Sequence, residues 1–376
     1  MKRVVIIGAG IGGIVVAREL RKKNRNVEII MIDRSEIHTF SPSLLWALVG
    51  KRKPNDFQKK IRSKGVNLIV DSVLSIDWNQ KIVNTISNEL SYDYLVLSPG
   101  ADLNPEKISG FSDGAFNLYS VDGVMKAKEK LFASSSGNVT ILISSLPFKC
   151  PAAPYEAALL IDSFFKERKI QPKITIVTPE EMPMSAGGPE AGIQVVELLK
   201  QKGISFQNKR AVTKIDSERK ELIFSNEEKI VFDLLIGIPA HSPPMFLKDS
   251  PIVTETGWVK VDPVTLNTSL PNVYAIGDVT TIALPSGKPL PKAGVFAHAQ
   301  AEIVASRIAD EISLRTPKDM FRGEGGCFLE VGARKAGFAT GRFYSKDGPG
   351  VSIRRPSRFW HFAKVLFEKW WLWRWV

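Results

Sequence analysis

Residues 2–7 form an apolar run, and Gly8-Ala9-Gly10-Ile11-Gly12-Gly13 follows it directly. From Ile11 to Arg21 the apolar spacing is helical, and Val27–Ile32 is a second apolar run that ends in Asp33. Strand, glycine turn, helix and strand in this order make the βαβ unit of a doubly wound parallel sheet. Each glycine of the turn has a physical task. Gly8 allows the tight turn, Gly10 lets the backbone approach a pyrophosphate, and Gly13 lets the helix pack close to the strand. The helix N-terminus then faces the phosphates with its free amides. Asp33 stands where a carboxylate can accept hydrogen bonds from a ribose hydroxyl, and its charge opposes a 2′-phosphate. Gly8, Ala9, Gly10, Gly12, Gly13, Asp33 and the adjacent Arg34 are therefore the candidate dinucleotide-binding residues.

Two later segments qualify that site. Val273-Tyr-Ala-Ile-Gly277-Asp278 reads as a strand ending in a glycine–aspartate turn, and Tyr92-Asp-Tyr-Leu-Val-Leu-Ser-Pro-Gly100-Ala101 as a strand running into a link between domains. Together with the first turn they resemble the fingerprints of flavoproteins that bind two dinucleotides. The resemblance implies FAD as cofactor, Gly100 and Gly277 beside it, Asp278 on its ribityl chain, and a following helix aimed at the flavin.

A chain of 376 residues exceeds one ordinary core. A second unit of the same grammar begins near Asn138: strand Val139–Ser144, helix Tyr155–Lys166, strand Lys173–Thr178, and a further helix over 189–202. Asp233–Ile238 and Val273–Ile276 read as strands returning to the first sheet. The expected fold is α/β with two Rossmann-like domains. Residues 1–105 and 234–312 form a discontinuous FAD domain, 106–233 an inserted second domain, and 313–376 a third segment of two short strands and a Trp-rich end.

The second unit lacks what a nucleotide needs. No glycine occurs from 138 to 186, and the turn reads Ser145-Leu-Pro-Phe-Lys-Cys150-Pro-Ala-Ala-Pro154-Tyr-Glu156. Proline removes N–H donors, and without glycine the backbone cannot come close to a pyrophosphate. NADH binding at this turn is not expected. A cysteine stands there instead, where a thiolate could exchange electrons with a flavin. Cys327, the only other cysteine, lies in the glycine-rich run Gly323-Glu-Gly-Gly-Cys327. Two cysteines are too few for a structural disulfide framework.

With these residues assembled, the chain resembles the sulfide:quinone oxidoreductases and the flavoprotein subunit of flavocytochrome c sulfide dehydrogenase. Gly8–Gly13, Cys150-Pro-Ala-Ala-Pro-Tyr-Glu156, Tyr274–Asp278, Pro291-Lys292-Ala-Gly-Val and Cys327 carry the resemblance, which covers nearly the whole chain. It implies that Cys150 and Cys327 form a redox pair, as a disulfide or a sulfur-extended bridge, which sulfide attacks. It also implies a proton-handling role for Glu156, for which an ordinary first-turn helix glutamate is an equal alternative, and a place for Lys292 near the flavin pyrimidine edge. The chain departs from the family in having no third cysteine. Neither the loop His38-Thr-Phe-Ser-Pro-Ser-Leu nor residues 101–149 holds a cysteine, so the FAD is expected to be non-covalent.

The net charge of +12 raises three partner classes: nucleic acid, anionic membrane and anionic substrate. No nucleic-acid motif appears, and no metal site is expected. Residues 357–376 hold five of the eight tryptophans, with Arg354, Arg355, Arg358, Lys364, Lys369 and Arg374 among or beside them. That is the pattern of a cationic helix lying in a membrane interface; a terminal helix packed on the core is the alternative. No leader and no apolar run of 18 residues is visible, which places the expected protein on the cytoplasmic side of the membrane, peripheral or monotopic. Sulfide or a related sulfur compound and a quinone are the expected partners, and a homo-oligomer is compatible with the sequence. A type II NADH:quinone dehydrogenase and a non-catalytic flavin subunit are the competing readings.

Overall fold

The computed structural model describes residues 1–62, 64–346 and 348–376. β1 (Lys2–Ile7), α1 (Ile11–Lys23) and β2 (Val27–Asp33) form the expected unit, with β1 and β2 parallel in register Lys2↔Val27 through Ile7↔Ile32. Their strands read as continuous apolar runs because both sheet faces are covered. Asn67–Val70 extends the sheet beyond β2, while Tyr94–Leu97 and then Val273–Ala275 extend it beyond β1.

The second sheet centres on β3 (Asn138–Ile143), which is followed by α2 (Ala153–Glu167) and β4 (Lys173–Val177). β5 (Leu234–Ile238) lies on the other side of β3, paired Val139↔Leu234 through Ile143↔Ile238. This corrects the expected domain boundary. The segment 234–238 belongs to the inserted domain and does not return to the first sheet; only Val273–Ala275 does. An unbroken apolar run shows that a strand is buried on both faces but not in which sheet. Gly237 adds a tertiary reason, since a Cβ there would sit 2.5 Å from the Phe111 ring. The two crossings between domains are themselves paired, Asp102–Asn104 antiparallel to Ala240–Ser242.

α3 (Gly294–Ile312) packs along α1 and completes the first domain. The third segment is more regular than expected. β6 (Glu324–Gly332), β7 (Lys335–Arg342) and β8 (Gly350–Ser357) form an antiparallel sheet, and α4 (Arg358–Trp375) covers it. Ser357 caps α4 by accepting the Trp360 N–H, which fixes where the helix starts.

α4 carries two unlike faces. Lys364, Glu368, Trp371, Leu372 and Trp375 recur at helical spacing and are buried against the rest of the protein. Phe359, Phe362, Leu366, Trp370 and Trp373 form the opposite stripe, and Phe359 and Trp373 are 67% and 69% exposed. The inward face holds Lys364 and Glu368, while the outward stripe is aromatic and apolar with the exposed Arg358 and Lys369 beside it. No helix among the described residues is long and apolar enough to cross a membrane.

Candidate active site

The first turn fits a dinucleotide closely. Gly8 has φ +99°, and a Cβ on it would lie 2.2 Å from the Ser98 carbonyl oxygen; one on Gly13 would lie 1.8 Å from the Gly8 carbonyl. Gly12 is equally confined, against the Ser98 hydroxyl and Ile276, so it joins α1 to two strand ends. Gly10, by contrast, faces open space, and α1 starts there with no side-chain cap and no acidic residue in its first turn. An uncapped helix end with free amides beside open space is what a pyrophosphate requires.

Asp33 also braces this loop. Its carboxylate accepts the Ala9 N–H at 2.6 Å and the Ser35 N–H at 3.0 Å, so a ribose would share an acceptor that already holds the turn. Arg34 is exposed and pairs with Asp102 at 3.4 Å. Gly100 adopts φ +78° and, like Gly10, faces open space.

Gly277, with φ +73°, is held by the Gln300 side chain, which accepts its N–H at 2.8 Å from α3. The buried Gln300 carried no recognisable sequence signal. Asp278 next to it makes no side-chain hydrogen bond among the described residues, and burial pushes its carboxyl up against the opposing pull of Lys149 and Lys292. A half-buried carboxylate without a partner suits a polyhydroxyl chain.

Lys292 ties the site together. Its ammonium donates to the carbonyls of Asp278 at 2.6 Å and Thr280 at 3.0 Å and lies 3.5 Å from the centre of the Trp258 ring. Its own carbonyl accepts the Cys150 N–H at 2.6 Å. Burial lowers its pKa to about 8, with Asp278 working against the shift. Most of its donor capacity therefore serves the protein, and any effect on a flavin comes from its fixed charge.

Cys150 sits in the second turn at φ +50°, a left-handed conformation unusual for a residue with a side chain. The Lys292 carbonyl holds it from one side. Tyr119 donates its hydroxyl to the neighbouring Lys149 carbonyl at 2.6 Å from the other. The acidic residue after β4, Glu180, is turned inward, where the hydroxyls of Tyr155 and Thr178 donate to it. Glu180 corresponds in the second unit to Asp33 in the first, and a ribose would find it engaged.

Cys150 and Cys327 open onto one cavity of about 560 Å³, lined largely by apolar groups together with Trp258, Lys292, Phe296 and Glu180. Both are free thiols in this structure. Cys327 is exposed and lines this cavity. Desolvation by the cavity walls, with Glu156 adding and Lys364 opposing, pushes its thiol up to about 11. Cys150 is pushed higher by burial, then by Cys327 and Glu156. The effect of Cys327 on Cys150 reflects their closeness across 177 residues of sequence.

Glu156 occupies the first turn of α2, and Lys364 of α4 donates to it at 2.7 Å. Their side chains are only 3% and 8% exposed. Burial pushes the Glu156 carboxyl up and Lys364 only partly pulls it back. Burial alone would lower Lys364, but Glu156 and Glu330 outweigh it and keep the ammonium charged. Lys364 had read as one more cation for a lipid surface. Its place in the 364, 368, 371, 375 stripe was the signal that it faces inward.

The pyridine nucleotide-disulphide oxidoreductase family model matches residues 2–143 and 153–301. The chain belongs to that family. It is accordingly an oxidoreductase, and the family implies a flavin-type cofactor. The match omits residues 144–152, which are the cysteine turn. Among curated relatives, the mitochondrial sulfide:quinone oxidoreductase of Mus musculus is 27% identical over 348 residues, covering 88% of this chain and 75% of its own. The sulfide-quinone reductase of Aquifex aeolicus is 25% identical over 395 residues, covering 99% and 91%. The X-ray structure of the sulfide:quinone oxidoreductase from Aquifex aeolicus superposes with a TM-score of 0.86 at 24% identity, over 100% of this chain and 91% of that one. The resemblance noted from the motifs and the expected α/β fold are thus borne out.

Proposed function

We propose that the protein oxidises sulfide through Cys150 and Cys327 and passes the electrons by way of non-covalent FAD to a membrane quinone. The observation that carries this reading is the single apolar cavity onto which both cysteines open, at the turn where a second nucleotide would otherwise bind. The relatives named above add to it, since their names give sulfide and quinone as substrates.

In the oxidised protein the two sulfurs share a disulfide. Hydrosulfide attacks one sulfur, the S–S bond breaks, and a new S–S bond leaves a persulfide on one cysteine and a thiolate on the other. The apolar cavity resists that thiolate, as the raised thiol pKa values show, and the buried Lys364 ammonium offsets part of the cost. Trp258 and the two carbonyls hold Lys292 in place, and the Lys292 carbonyl holds Cys150 in its left-handed turn. FAD, when bound by Gly8–Gly13, Asp33, Gly100, Gly277 and Asp278, supplies the two-electron step between thiol and quinone.

The outward stripe of α4 supports docking on the membrane surface on the cytoplasmic side. Its aromatic groups suit the headgroup region, and the arginines beside it favour anionic lipid. Because the inward stripe is part of the core, deleting the helix would unfold its surroundings. Trp370→Ser with Trp373→Ser is the cleaner test: binding to anionic vesicles falls while the flavin spectrum is unchanged. Equal vesicle binding by that variant rules out this docking face.

Anaerobic mixing of oxidised protein with sulfide, and separately with NADH, tests the function. Sulfide bleaches the flavin and NADH does not. Bleaching by NADH alone would transfer the protein to the NADH dehydrogenases, and bleaching by neither to a non-catalytic flavin subunit.

A further inference from the structure

Oxidation of hydrosulfide by quinone, HS⁻ + Q + H⁺ → S⁰ + QH₂, moves two electrons and takes up one proton per turnover. Two ionisable groups that act on both thiols, Glu156 and Lys364, are sealed from water. A proton reaching them needs a path, and one line of titratable side chains leads outward from this pair.

Glu330 on β6 is buried to 1% exposure, and its two carboxylate oxygens lie 3.0 and 3.1 Å from Nδ1 of His361. Its charge raises the pKa of both Glu156 and Lys364, so it stands close to the sealed pair as well. His361 and Lys364 are one turn apart on α4, with Glu330 facing both from the sheet beneath. Nε2 of His361 makes no hydrogen bond among the described residues, and the side chain is 21% exposed. Around these groups, Trp46 presents its ring to His361 and to Lys364. Arg52 also lies over that ring, and its charge is taken by Glu368. Cys327 is the remaining titratable group acting on Lys364. A carboxylate whose one side-chain hydrogen-bond partner among the described residues is a half-buried histidine, and which lies beside a sealed ion pair, has the form of a relay.

We propose that His361 and Glu330 form the proton inlet of this enzyme, carrying a proton from the surface at the root of α4 to the Lys364–Glu156 pair beside the cysteines. The inference rests on the quinone-reducing function proposed above. His361 accepts a proton at Nε2 and yields the one at Nδ1 to Glu330. Lys364 donates one N–H to Glu156 and feels the Glu330 charge without bonding to it in this structure, so the last transfer requires the Lys364 side chain to swing between the two carboxylates. The proton passes along the carboxylates while the electron pair travels separately from thiol to quinone.

The test follows electrons and protons independently. Holoprotein reduced with dithionite is mixed with a water-soluble short-chain quinone in weak buffer containing a pH-indicator dye. Dithionite makes the readout independent of sulfide, whose bleaching of the flavin in a separate mixing reports on the sulfide reaction alone. With excess dithionite removed and the flavin reduced to its anionic form, which needs one further proton to give QH₂, proton uptake in the wild type keeps pace with quinone reduction. His361→Ala slows uptake by about 10²-fold, the size of a lost general acid, and added imidazole restores it. Glu330→Gln slows uptake similarly but does not respond to imidazole, because the next link is missing. Unchanged uptake in His361→Ala, or a loss that imidazole does not restore, overturns the relay. If the reduced wild type fails to reduce quinone at all, the underlying function fails and the relay with it.

Discussion

The first and second Rossmann turns of this protein are built on one plan and filled with opposite chemistry. Each lies between a buried parallel strand and a helix, and each needs a residue in the left-handed region, Gly8 at φ +99° and Cys150 at φ +50°. In the first, glycine meets that need without strain and leaves the backbone bare for an anion. In the second, a cysteine takes the strained position and is held by the Lys292 carbonyl below Tyr119. The acidic residues after the second strands diverge in the same way. Asp33 accepts amides of its own phosphate loop, whereas Glu180 is turned inward to Tyr155 and Thr178. A nucleotide turn has become a thiol turn with no change of sheet topology, which shows that the fold positions a reactive atom at this point whatever that atom is.

The strongest way to break the comparison is Cys150→Ser. Flavin content stays normal, while bleaching by sulfide slows by roughly 10³-fold or more, as expected when a nucleophile is removed; stopped-flow absorbance reads both. A variant that bleaches at the wild-type rate would leave the second turn without its assigned chemistry.

The next effect concerns pH. Since the Cys327 thiol is pushed up to about 11, its thiolate fraction at pH 8 is about 10⁻³. Capture by iodoacetamide therefore accelerates about tenfold per pH unit from 8 towards 11, and Cys150 lags behind Cys327 throughout. A plateau near neutral pH, seen by mass spectrometry of the alkylated peptides, would show that the cavity is wetter and more polar than its lining indicates.

Stability separates the turns further. Gly13→Ala forces a Cβ onto the Gly8 carbonyl and costs about 2–3 kcal/mol, read as a lower thermal midpoint together with lost flavin. Pro151→Gly in the second turn costs less, about 0.4–1 kcal/mol, and creates no NADH oxidation because Glu180 remains engaged. NADH bleaching in that variant would mean that proline alone had excluded the nucleotide.

Some of this is legible in the sequence. The first turn, its helix and Asp33 appear where local spacing puts them, because a phosphate-binding βαβ unit is specified by neighbours in sequence. The cysteine turn was equally visible, as a missing glycine. Segment 234–238 was not, since an apolar strand carries no mark of its sheet. Nor were Gln300, Glu180 and Trp258, each of which matters through a partner far away in the chain. His361 likewise carries no local mark, because its role depends on Glu330 from a distant strand.

The C-terminal helix divides the two kinds of knowledge most sharply. Its sequence alone determined that it would be helical, cationic and rich in tryptophan. Only the tertiary structure decided that Lys364 and Glu368 face inward and the aromatic stripe outward. Helical period sorts residues into faces, but which face meets the core depends on what the core offers. Here it offers a buried carboxylate, Glu156, and an ammonium at 2.7 Å is the partner that makes its burial tolerable.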